Sequence, residues 1–166
     1  MIKQLKKITA TLSAAALLSV GAQQALAQNH DHSHAHDAQA PAQLTLNNGQ
    51  KWTTDDSLRK GMSRIRDALS TQLPAIHANK ATTKQYRTLA KKVDGQIEFM
   101  VQNCKLDPAT DAALHILLGE IIAGADAMKL KQGAEAREGA VKILLALDKY
   151  ETHFDHPGWH GIQHGH

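Results

Sequence analysis

The sequence predicts an all-α protein, an antiparallel up-down-up-down four-helix bundle with disordered histidine-rich N- and C-terminal tails. Three observations carry this. Apolar residues recur at intervals of three and four in four successive stretches, the period of a helix with one buried face. Aromatic residues make up only 4% of the 166-residue chain, so the core must be aliphatic and alanine-rich, which suits close-packed helices better than a β-sandwich. Helix-starting residues precede the stretches, and no alternating strand pattern competes with them.

The elements follow in order. The first helix is predicted to start after Thr53 or Thr54, with Asp55 and Asp56 in its first turn, where a negative charge meets the positive helix end. Its stripe is Leu58, Met62, Ile65, Leu69, Leu73 and Ile76, and Pro74 is expected to kink it or end it early. The second begins at Thr82, with Gln85 three residues on at capping-box spacing. It continues through Tyr86, Leu89, Val93, Ile97, Met100 and Cys104. Asp107-Pro108 starts the third, a cap residue followed by proline at the first helical position, and Leu114, Leu118, Ile121, Ala125 and Met128 face inward. Gly133 breaks the chain before a fourth stripe of Ala136, Ala140, Ile143, Leu147, Tyr150 and Phe154. Gly124 and Gly139 each cost about 1 kcal/mol against alanine inside a helix, yet they permit close approach between helices. The bundle is therefore expected to span 52–155.

Residues 1–27 read as a secretory signal peptide. Lys3, Lys6 and Lys7 precede an apolar run from Ile8 to Val20, and Ala25-Leu26-Ala27 supplies a small-x-small cleavage site. Cleavage after Ala27 places the mature protein in the periplasm. Three of the 19 Lys and Arg lie in the signal and none of the 16 acids does, so the mature chain carries 16 charges of each sign. Without an excess of positive charge there is no footprint for a phosphate backbone, and nucleic acid is excluded as a partner. No membrane span is expected after cleavage. Cys104 is the sole cysteine, so no internal disulfide can form.

Nine of the 11 histidines fall in two stretches, one before the expected helices and one that begins at the end of the fourth. His30, His32, His34 and His36 lie in a polar lead-in, 28–51, that is too poor in apolar residues to fold alone. His153 ends the fourth helix, and His156, His160, His164 and His166 follow in a tail, 156–166. Neutral imidazole suits copper, nickel and zinc, so His30, His32, His34, His36, His156, His160, His164 and His166 are the candidate metal ligands. The ions expected are Cu(II), Ni(II) or Zn(II). The mature terminus Gln28-Asn29-His30 adds an amine, two amide nitrogens and an imidazole, a square-planar set that favours Cu(II) or Ni(II). The leading function is thus periplasmic transition-metal binding, as buffer or as donor to a redox or metal-handling partner. Catalytic motifs are missing: there is no His-Glu-x-x-His helix, no Gly-x-Ser-x-Gly elbow and no phosphate loop. An enzyme is not expected.

Met62 in the first helix, the run Ile116-Leu117-Leu118-Gly119-Glu120-Ile121 in the third and Tyr150 near the end of the fourth together resemble cytochrome b562. That family is a periplasmic four-helix bundle holding b-type haem between a methionine and a histidine. The resemblance covers about residues 55–155 and implies electron transfer, with Met62 and His153 as the haem ligands. In the family the histidine follows the tyrosine directly; here Glu151 does, and His153 is the nearest histidine. In an antiparallel bundle Met62, Met100, Cys104, His115 and His153 share one end, where sulfur and imidazole donors could hold haem iron or copper. A third reading is a partner-binding or stress-sensing helical module.

Overall fold

The computed structural model describes residues 43–162. They form a four-helix bundle: α1 (Asp56–His77), α2 (Thr83–Asn103), α3 (Pro108–Leu130) and α4 (Gly133–His153). The signal segment, the lead-in through residue 42 with His30, His32, His34 and His36, and the final His164 and His166 lie outside the described residues.

Each start is set by the residue the sequence puts there. Asp55 caps α1 by accepting from the Leu58 N–H, and Thr82 and Gln85 form a reciprocal capping box on α2. Asp107 accepts from the Ala109 and Thr110 N–H groups ahead of Pro108 at the start of α3. α4 follows α3 after only Lys131 and Gln132, and Gly133 takes the sharp turn at φ +55. α1 runs on past Pro74 to His77, contrary to the expected early end. Proline removes one hydrogen bond to Ser70, which is exposed and can be served by water, while fully buried Ile76 anchors the last turn.

Contacts at both ends fix the antiparallel order. Asp55, before α1, accepts from the Lys105 N–H after α2, and Trp52 pairs with the backbone at the end of α4. At the opposite end Arg137 of α4 donates to the Ile76 carbonyl, and Arg87 of α2 to that of Lys129 in α3. The four stripes meet in one aliphatic core, with Leu58, Met62, Ile65, Leu69, Val93, Leu117, Ile121 and Ile143 fully buried. α3 and α4 pack closest: a Cβ on Gly124 would stand 2.6 Å from the Gly139 carbonyl oxygen, and one on Gly139 would stand 2.6 Å from that of Gly124.

Packing reaches beyond 52–155 on both sides. Leu44 lies against the core, and the Trp52 indole donates to the Thr45 carbonyl across a turn with Asn48 and Gly49 at positive φ. After α4, Phe154 and Ile162 are buried and Trp159 is partly so. The residues 43–51 and 156–162, expected as parts of polar tails, thus hold to the body because each carries an apolar anchor among its polar neighbours.

Candidate functional site

The start of α1, the end of α2, the start of α3 and the end of α4 meet at one pole, and the described residues before α1 and after α4 pair with each other there. The Trp52 N–H donates to the His153 carbonyl at 2.7 Å, and the Asp155 N–H donates back to the Trp52 carbonyl at 2.8 Å. This pairing forms an isolated parallel bridge between Trp52 and Phe154. Lys51 adds a bond from its ammonium to the Glu151 carbonyl, 2.7 Å, and the Thr54 hydroxyl donates to the Asp155 carbonyl.

An aromatic cluster closes this pole. Tyr150 stacks on Phe154 at 5.2 Å between ring centroids and meets the Trp159 ring edge-on at 4.8 Å. Arg66 of α1 lies over the Trp159 indole, 5.1 Å from its centroid, so Trp159 bridges α1 and α4. Burial pushes the Tyr150 phenol well above its ordinary value, and its oxygen shares a 3.0 Å hydrogen bond with Nδ1 of His156. Burial, then the positive charges of Arg59 and Arg66, lower the His156 pKa, with Asp155 opposing. Sequence periodicity pairs Tyr150 with Phe154 four residues on, but nothing in it brings back Trp159, which returns through the turn at Pro157 and Gly158.

The expected ligands fall into separate groups. His156 commits Nδ1 to Tyr150, whereas His160 is exposed and held by its carbonyl, which accepts from Arg66. His153 turns Nδ1 onto the Lys149 carbonyl of its own helix, 2.8 Å away. Met62 has no accessible surface. A side chain in that state borders no space wide enough for a water molecule, so Met62 and His153 as packed do not fit a haem between them. Among the described residues no three His, Cys, Asp or Glu side chains form a metal-binding group.

Across the pole, a cavity of about 250 Å³ opens between the last turns of α2 and the first turns of α3. Met100, Cys104, Asp111 and His115 line it, with Val101, Leu114 and Leu118 as its apolar walls. His115 directs Nδ1 at the Asp111 carbonyl, 2.8 Å away. The Cys104 thiol is pushed up to about 12, by burial first and then by the negative charge of Asp55. Three of the five donors expected at this end therefore share one cavity, and Met62 and His153 stand apart from it.

No helix among the described residues is long and apolar enough to cross a membrane. No protein-family model, curated protein or solved structure matches the chain. The likeness to cytochrome b562 rests on the residues quoted for it.

Proposed function

We propose that this chain is an exported metal-binding protein that takes up copper, nickel or zinc in the periplasm through its two histidine tracts. The observation that supports this is the backbone pairing of Trp52 with His153 and Asp155. It holds Trp52, on the chain that follows the first tract, beside His153 and Asp155, on the chain that precedes the last two histidines. Two weak ligand sets tethered together meet the same ion at high effective concentration, so their joint affinity exceeds that of either alone. Imidazoles neutral at periplasmic pH supply the donors for each of these ions.

Isothermal calorimetry on the untagged mature chain with Cu(II), Ni(II) and Zn(II) tests the reading. More than one Cu(II) equivalent is expected per chain, with affinity falling below about pH 6 as imidazoles protonate. Replacing His30, His32, His34 and His36 by alanine should remove part of the capacity, and replacing His164 and His166 should weaken what is left. A mature chain that binds none of the three ions refutes the proposal.

A further inference from the structure

We propose that the trough between α1 and α2 is a docking surface for a short, extended acidic segment of a partner protein, its carboxylates lying between Arg64 on one wall and Lys84 and Lys92 on the other. The proposal rests on charge and shape in the helical body and is independent of metal uptake by the tracts.

Charge is divided unevenly between the two halves of the bundle. The hairpin 56–103 carries nine Lys and Arg against four acids, whereas 108–153 carries five against seven. Three of the hairpin's acids are already held: Asp56 by Arg59, Asp67 by Arg66 and Asp94 by Lys129 of α3. Lys84 and Lys92 make no ion pair among the described residues. An anion arriving at this seam therefore meets cations whose charge is not neutralised.

Shape gives that charge a direction. Two depressions, of about 320 Å³ and about 160 Å³, follow one another along the seam and share Lys92. Ala68 and Leu89 supply the apolar part of their lining. Arg64 is fixed across the seam: its guanidinium donates to Oε1 of Gln96 at 3.4 Å and lies 5.7 Å from the Phe99 ring centroid. Gln85 uses its Oε1 to accept from Thr82 in the α2 cap. With both amide oxygens engaged, Gln85 and Gln96 present their amino groups, so the trough offers donors and calls for a ligand rich in acceptors. Carboxylates and peptide carbonyls meet that need.

Length and net charge choose among the anions. The helix rises roughly 18 Å from Lys60 to Gln72, a span that about six extended residues cover. A long polyanion would run on to surfaces where acids outnumber cations, and the mature chain as a whole carries no excess positive charge. A bilayer is flat and does not enter a concave seam, and none of the exposed large apolar side chains lines it to insert into lipid. A short acidic segment uses both walls and the apolar floor.

The test is fluorescence anisotropy of a fluorescein-labelled peptide of about eight residues, alternating glutamate and serine. It is titrated with the metal-free mature chain at about pH 7.5, where imidazoles are neutral. Binding is expected at about 50 mM salt and should weaken about tenfold by about 300 mM. The same peptide with glutamine in place of glutamate should not bind. Lys84→Gln with Lys92→Gln should weaken binding about tenfold. Both side chains are exposed, so the melting temperature should hold. Lys131→Gln with Lys142→Gln removes the same charge from the other half and should change affinity less than about twofold. The proposal fails if neither peptide binds, if both bind equally, or if the two double variants lose equal affinity. Cosedimentation with phosphatidylglycerol vesicles in the absence of peptide binding would overturn it in favour of a lipid surface. Salt-sensitive self-association abolished by Lys84→Gln with Lys92→Gln would overturn it in favour of a second copy of the chain.

Discussion

The His156 ring sits between the Tyr150 hydroxyl, the Trp159 indole and two arginines, Arg59 and Arg66. Burial and both guanidinium groups disfavour the imidazolium, so packing lowers its pKa. The protonated form is therefore the weaker partner for the packed state. Above about pH 6.5, the ordinary histidine value, the ring is neutral packed or unpacked and its contribution is complete. As pH falls from there toward the lowered value, the unpacked chain takes up the proton first and the contribution is lost; below that value it levels off. Thermal melts at about pH 7.5 and about pH 5.5 should show a drop in the wild type that is smaller in His156→Gln. Equal drops in both chains would mean that His156 is not responsible. This residue carries little trace in the sequence, where it is one more histidine in a polar tail, because its environment is assembled by Trp159 and Arg66 from distant parts of the chain.

The helices were legible because their signals are local. Asp55, Thr82 with Gln85, and Asp107 with Pro108 each act within three residues, and the stripes from Leu58 to Phe154 point into the core as their spacing requires. Pro74 misled because its local penalty is outweighed by burial of Ile76, a tertiary effect that propensity does not contain. The two glycines that cost helix propensity mark the closest crossing in the bundle. A methyl group at Gly124 would meet the Gly139 oxygen and Ile143 Cγ1, both at 2.6 Å, and neither backbone can yield without separating α3 from α4. Gly124→Ala is expected to destabilise the protein by about 1–3 kcal/mol. Gly119 lies exposed in the same helix, with nothing within 4 Å of an added Cβ. Gly119→Ala should stabilise by about 0.5–1 kcal/mol. Urea titration of both variants measures the pair, and a shared sign would mean that propensity, not packing, governs both positions.

At the scale of the molecule, periodicity alone placed Met100, Cys104 and His115 at one end, since alternating helix direction brings the end of α2 beside the start of α3. The closure of that end by the chain's own C-terminal segment was not legible, because it depends on contacts across most of the sequence: Trp52 with His153 and Asp155, and Arg66 with Trp159. The segment makes a specific demand on function. If tethering at one pole is what lets the two tracts share an ion, releasing the segment should weaken binding without removing a single ligand. Trp159→Ala does this, since the indole is the anchor that spans α1 and α4. The substitution should cost about 3 kcal/mol or less, given that the indole is only partly buried, and the four apolar stripes keep the helices. Circular dichroism should therefore remain helical. Ni(II) affinity, measured by calorimetry, should fall toward that of a chain with only one intact tract. Unchanged affinity in a chain whose melting temperature has dropped would show that the tracts bind independently and that their common attachment is structural alone.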